Sequence, residues 1–261
     1  MISSHLKLPE RPATYKWIWG ILTLLILFFI IRDLELNFQT LIWSYKDISE
    51  YCSRYGKPDF SEWQQYAVLM FQTIAIAYWG TVMAFVTGFI IAPFASKALR
   101  PNRVVYHVSR ELLNFMRAMP DLLLALIFVN SFGLGPLPGI LAIGLHTGGF
   151  LGKFFSESLD RVPAGVYEAL SAVGADFQQQ VMFAGWPNIM RETIGYTLYI
   201  FDRNVRISSV LGLVGAGGIG MELYCRLRLF DYNQSACIIL FILLTIFLID
   251  HFSGWLRKKI K

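Results

Sequence analysis

No charged side chain occurs between Ala67 and Ser96. A hydrocarbon core of roughly 30 Å is crossed by about 20 apolar helical residues at about 1.5 Å rise each, and this run exceeds that length. Shorter runs of the same kind follow the same rule. Trp17 to Ile31 is flanked by Lys16 and Arg32, and Leu122 to Phe132 extends back through Leu112. Leu137 to Leu151, the stretch from about Met190 to Leu213, and Ala236 to Ile249 complete the set. With 55% hydrophobic and only 16% charged residues and a mean hydropathy of +0.50, the chain is too apolar for a soluble domain of its length. The expected fold is all-α: a polytopic membrane protein with six transmembrane helices in a lipid bilayer.

The first span has the basic flank of a signal peptide. No small-x-small cleavage site follows it, and Arg32-Asp33 end it abruptly, so it reads as a retained anchor. Basic residues collect at Lys7, Arg11 and Lys16, at Lys97, Arg100 and Arg103, and in the tail Arg257-Lys258-Lys259-Ile260-Lys261. Six spans place all three clusters on one side, which the positive-inside rule makes cytoplasmic. Both termini and the polar segment around Glu168 then share that side. The net charge of +5 follows from this topology and does not call for nucleic acid.

Several patterns suggest chemistry that their context rules out. Gly215-Ala216-Gly217-Gly218-Ile219-Gly220 satisfies G-x-G-x-x-G, but it follows a membrane span rather than a strand, and no acid lies about 20 residues on to hold a ribose. Gly152-Lys153 resembles a phosphate loop, yet Thr147 takes the first Gly position and Phe154 the Ser/Thr position. No nucleotide site is expected in this chain. Cys52, Cys225 and Cys237 lack metal-ligand spacing, so no metal is expected either; the topology places Cys52 and Cys225 on the same outer side. His146, isolated beside Thr147, Gly148 and Gly149, reads as a packing residue on a helix whose glycines permit close contact.

Ionisable residues at membrane depth cost on the order of 2.5 to 3.5 kcal/mol each on the insertion scale and tend to face water-filled cavities. In the fifth span, Arg191, Gly195, Tyr199, Asp202, Arg206 and Ser209 share one helical face opposite Ile200, Ile207 and Leu211, and Glu192 and Arg203 flank them. In the third span, Arg110, Asn114, Arg117 and Asp121 recur at spacings of four, three and four, with Pro120 placed to bend or break the helix. Two readings fit. The pairs Asp202/Arg206 and Arg117/Asp121 are i,i+4 contacts that hold helices together, or the stripes line a path for an anion. The surplus of Arg favours the second, because its planar fork suits phosphate-like oxyanions. On that reading the translocation path comprises Arg117, Asp121, Tyr199, Asp202, Arg203, Arg206 and Ser209.

Beyond the stripe, Gly215, Gly217, Gly218 and Gly220 stand at the expected outer mouth of the path. They offer either an anion-binding nest of exposed amides or a compact re-entrant turn without a ligand. Residues 32 to 65 form an outer segment in which Asp59-Phe60-Ser61-Glu62 looks like a capping box opening the second span.

Between the fourth and fifth spans lies Glu168-Ala169-Leu170-Ser171-Ala172-Val173-Gly174, followed thirteen residues later by Pro187. This resembles the EAA loop of ABC importer permeases, with Leu170, Ala184 and Trp186 departing from the usual pattern. The run Phe201-Asp202-Arg203-Asn204-Val205-Arg206 with Gly212 to Gly220, Arg117-Ala118-Met119-Pro120-Asp121 and Phe132-Gly133-Leu134-Gly135-Pro136 is similar specifically to the phosphonate ABC-transporter permease family. The resemblance covers about Trp63 to His251.

It implies a type I importer core in the bacterial inner membrane and a permease homodimer. It further implies a cytoplasmic ABC ATPase dimer docked through Glu168, Ala169, Gly174 and Pro187, and a periplasmic phosphonate-binding protein. ATP and Mg²⁺ then belong to the ATPase, and this chain has no cofactor and is not itself an enzyme. Residues 1–65 are the anchor and outer interfacial segment, 66–252 the transmembrane domain with the coupling loop at about 160–187, and 253–261 the basic tail. The alternatives are a type I permease for another small solute (phosphite, hypophosphite, phosphate or an amino acid), or an ATP-independent channel or membrane enzyme.

Overall fold

The computed structural model describes residues 13–33, 38–99 and 102–260. Lys7, Arg11, Arg100 and Lys261 of the basic clusters lie outside the described residues. Within them the regular structure is entirely helical. The chain divides into two compact units, Met1–Ser53 and Arg54–Lys261. The first holds α1, Ala13–Asp33, which is apolar on every face as suits a helix surrounded by lipid, and α2, Phe38–Arg54, which has one polar and one apolar side.

The second unit is built around three long helices, α3 (Trp63–Ala95), α6 (Pro136–Arg161) and α9 (Trp186–Leu211). Between α3 and α6 lie α4 (Arg103–Ala118) and α5 (Asp121–Phe132), which meet at 85°. Pro120 lacks an amide hydrogen and forces Met119 into extended backbone (φ −73, ψ 122), so the helix breaks there rather than bends. After α6 come α7 (Ala164–Ala172) and the single turn α8 (Phe177–Gln180), and after α9 come α10 (Ile219–Arg228) and α11 (Tyr232–Ile260).

α6 is the centre of the unit. Ala142, Ile143, Leu151, Phe155 and Leu159 are fully buried, and glycines let α3 approach so closely that a Cβ on Gly88 would stand 2.8 Å from the Gly152 amide nitrogen. Small residues of this kind drive helix association where lipid removes the hydrophobic gain. A polar tie crosses the same core: Asn204 Nδ2 of α9 donates to Thr81 Oγ1 of α3 at 2.9 Å and to Thr147 Oγ1 of α6 at 3.4 Å.

Among the described residues, three helices are long and apolar enough to cross a membrane, Tyr15–Asp33, Trp63–Ala95 and Tyr232–Lys259; counting each bent pair as one crossing raises this to five. The expected six are not reached on those criteria. α6 is long enough at 26 residues, but its prolines, glycines and charged last turns make it less apolar than the other three. A helix enclosed by protein needs no lipid-facing surface.

The expected capping box at Asp59 is not formed. α3 starts later, at Trp63, with Glu62 in the cap position and no side-chain cap. Asp59 instead accepts from the Ser61 amide at 2.9 Å, and Glu62 is drawn away by Arg226 Nη2 of α10 at 2.6 Å. Arg226 also donates to Glu222 Oε1 at 2.7 Å. Cys52, Cys225 and Cys237 are free thiols.

Candidate functional site

The segment around Glu168 is a helix, a turn and a short helix. Glu168, Ala169, Gly174 and Pro187 are all exposed, and Val173, Met182 and Phe183 present apolar surface at 80%, 61% and 72% exposure beside them. Exposed apolar side chains on a polar loop are the kind of surface that a partner can cover. Gly174 holds φ at 82°, a conformation that costs other L-residues about 1 kcal/mol or more. Nothing lies within 4 Å of where its Cβ would be. Its amide donates to Ser171 O and that of Ala175 to Leu170 O, both at 3.0 Å, closing α7. Asp176 and Gln179 then form a capping box that starts α8.

Beneath this surface the loop is anchored by residues that single-sequence patterning did not single out. Tyr167 is buried, and burial followed by the Asp160 carboxylate pushes its phenol up to about 12. It therefore stays protonated and donates to Leu159 O at 3.1 Å. One oxygen of Asp160 accepts from Ser96 Oγ at 2.7 Å and from the amides of Lys97 and Ala98 at 2.6 and 3.1 Å, tying the end of α3 to the end of α6.

Between α8 and α9 the chain makes a π turn, Val181–Gly185, in which the Trp186 amide donates to Val181 O. Pro187 accounts for it: with no hydrogen to give Phe183 O and a ring that crowds that carbonyl, it widens the turn before it. Asn188 Nδ2 satisfies Ala184 O at 2.7 Å. The turn delivers Trp186, 4% exposed, onto Phe89 of α3, ring centroids 3.8 Å apart and nearly parallel, with Phe155 of α6 edge-on at 5.9 Å.

The expected polar stripe on α9 is divided between interior and surface. Asp202 and Ser209 are buried, whereas Tyr199 and Arg206 are exposed. Asp202 is paired with Arg206 one turn on, so this part of the stripe is an i,i+4 ion pair. On α4, Arg110 bonds Tyr106 Oη of its own helix at 2.8 Å. Arg117 and Asp121, expected as a possible i,i+4 pair, are separated by the helix break; Asp121 accepts from the Leu122 amide at 2.9 Å.

The fold makes a different assembly. Arg117 of α4 and Arg203 of α9 both lie over the ring of Phe150 of α6, at 5.3 and 4.7 Å from its centroid. The ring's negative faces attract both cations by about 0.5 to 2 kcal/mol each, and neither has a carboxylate partner among the described residues. His146, one turn earlier, packs on Phe150 and bonds Met119 O at 2.8 Å, consistent with a packing role. Asp121 and Arg206 line a neighbouring crevice of about 250 Å³ with Leu122, Ile207, Val210 and Leu211.

The glycine segment after α9 is not an open mouth. Residues 215–220 are all buried. Gly215, Gly217 and Gly218 have φ of 92°, 78° and 74°, and a Cβ on Gly220 would strike the Ser209 carbonyl. The amides of Gly215 and Ala216 are taken by Gly212 O and Leu211 O, and that of Ile219 by Thr73 Oγ1 at 2.9 Å. This is the compact turn of the two readings, in place of an exposed anion nest.

Comparison with known proteins agrees with this architecture. Residues 84–261 match the family described as binding-protein-dependent transport system inner membrane component. A phosphite transport system permease protein of Stutzerimonas stutzeri is 40% identical over 204 residues, 78% of this chain and 74% of that protein. A phosphate-import permease protein of Mycolicibacterium smegmatis is 32% identical over 189 residues, covering 72% of this chain and 36% of that one. In fold alone, the chain superposes on a chain of the inward-facing MetNI methionine ABC transporter with a TM-score of 0.65 at 19% identity, over 77% of this chain and 99% of that one. The protein belongs to the binding-protein-dependent transport system inner membrane components and is a permease subunit of an ABC transporter.

Proposed function

We propose that this permease carries a small phosphorus oxyanion, of the phosphonate or phosphite class, inward by alternating access. The observation that carries the reading is the pair Arg117 and Arg203. Two guanidinium groups from different helices meet on one ring without an ion-paired carboxylate among the described residues, and a desolvated anion is the partner their forks suit. The named substrates of the similar permeases, phosphite and phosphate, support the same chemical class.

The working assembly is a homodimer, because one docking loop per chain matches a paired ATPase with two grooves. A cytoplasmic ATPase dimer, which holds ATP and Mg²⁺, seats on Glu168, Ala169, Gly174 and Pro187, and a periplasmic binding protein delivers the anion on the other side. Both termini lie in the cytoplasm, α6 supplies the sixth crossing, residues 66–252 form the transport domain, and 1–65 and 253–261 flank it as anchor and basic tail. Closure of the ATPase pair pushes the loop, and the Trp186 stack on α3 and α6 passes the movement to the helices that carry Arg117 and Arg203.

The test is ATP hydrolysis by the complex in liposomes with its cognate ATPase and binding protein, with and without 2-aminoethylphosphonate, phosphite and phosphate. Stimulation by one of them supports the reading and ranks the substrates. An intact complex that none of the three stimulates would remove phosphorus oxyanions as the cargo.

A further inference from the structure

A cavity of about 740 Å³ lies at the loop end of α6 and α9, and the end of α11 borders it through Arg257. Its charged lining is Arg161, Arg191, Glu192 and Arg257. Arg161 Nη2 donates to Glu192 Oε2 at 2.8 Å and to Tyr196 Oη at 3.1 Å. Glu192 Oε2 also accepts from Ser158 Oγ, so the charge of this acid is matched by Arg161. Arg191 and Arg257 make no ion pair or hydrogen bond among the described residues; the carboxylate that Arg257 feels, Asp202, is already paired with Arg206, so the lining keeps a positive surplus. Tyr196 accepts from Arg161 and keeps its own hydroxyl proton to donate.

Three elements far apart in sequence bring these groups together. Phe154 is a further wall of the cavity; its ring follows Phe150 on α6 at 6.3 Å and meets Tyr196 at 5.1 Å. The cavity therefore continues the α6 face over which Arg117 of α4 and Arg203 of α9 lie.

We infer that this cavity is a second anion site, in which Arg191 and Arg257 grip a phosphate-type group from the loop side with Tyr196 as an added donor. Two guanidinium groups balance a dianion, and charge-assisted forked contacts to phosphate are the strongest that arginine makes. The volume exceeds what a bare tetrahedral anion fills and suits one that carries a substituent. If the phosphorus-oxyanion reading above holds, the occupant is the cargo pausing at the exit. The same chemistry would also fit the phosphate of a lipid headgroup.

The experiment is arginine modification by phenylglyoxal, read by peptide mass spectrometry, on the permease–ATPase complex in nanodiscs without binding protein. One arm uses zwitterionic phosphatidylcholine with inorganic phosphate added; the other uses phosphatidylglycerol without it. We expect phosphate to protect Arg191 and Arg257 while exposed Arg103 reacts unchanged. Protection only in phosphatidylglycerol assigns the same site to a headgroup. In Arg257→Gln, the phosphate concentration that protects Arg191 should rise about tenfold. Reactivity in both arms as high as in phosphatidylcholine without phosphate, or Arg191 protection indifferent to Arg257→Gln, would overturn the site. A complex that shows this yet is still stimulated by loaded binding protein leaves the transport reading intact, so the two failures are distinguishable.

Discussion

The loop around Gly174 and the turn around Gly217 are both glycine-bearing links between helices, yet they obtain their rigidity from opposite directions. Gly174 sits at φ 82° in open space. Its loop is held from below, by Trp186 stacked on Phe89 and by Asp160 binding the end of α3. The buried turn at 215–220 is held from within, where the backbones of Gly220 and Ser209 meet and Thr73 caps Ile219. The docking role proposed for the loop needs a free face on a fixed foundation. A turn that sets the angle between α9 and α10 needs no free face at all.

Four substitutions break or sharpen this contrast. Trp186→Ala removes the loop's foundation without touching its surface and should cost about 3 to 5 kcal/mol, seen as a large drop in Tm in detergent; a small drop would mean that the stack on Phe89 carries little. Gly220→Val drives a side chain into the Ser209 carbonyl, which cannot yield. Overpacking of about 3 kcal/mol should leave little monodisperse protein on size exclusion, and normal yield would contradict the close approach.

Arg206→Ala strands the buried Asp202 carboxylate. Because Arg206 is half exposed, the cost is discounted to about 1 to 2 kcal/mol, and Asp202→Asn in the same chain should restore the Tm. If the double variant is stable but uptake stays low, the pair also serves transport. Gly174→Ala should be the mildest, about 1 kcal/mol from the positive φ, with assembly intact and ATPase stimulation reduced. Gly174→Asn, which tolerates that φ better, should recover part of the stimulation; unchanged stimulation in Gly174→Ala would count against a docking role.

Much of the layout was legible in the chain. The uncharged run from Ala67 ends at Ser96, the C-cap of α3, Pro120 marks the break between α4 and α5, and the Glu168 segment is the helix, turn and helix that its pattern predicts. These features depend on neighbours within a few residues, so local chemistry decides them. The assignments within the path were harder to read. The helical wheel grouped Tyr199 and Arg206 with Asp202 and Ser209, but a wheel records only direction, and the burial of each group depends on what packs there. The capping box expected at Asp59 fails for the same reason: Arg226, far away in sequence, takes Glu62.

By itself, then, the sequence determined that the chain is helical and bilayer-bound, with a surface-exposed linker between its fourth and fifth apolar runs. Hydrophobic length, proline and glycine act locally and need no fold to be read. Only the tertiary structure decided which charges remain free. It gave Asp202 to Arg206 and Glu192 to Arg161, and left Arg117 and Arg203 on Phe150 with no acid paired to them among the described residues. An ion's partner is fixed by distance in space, and residues 117, 150 and 203 become neighbours only once α4, α6 and α9 have packed.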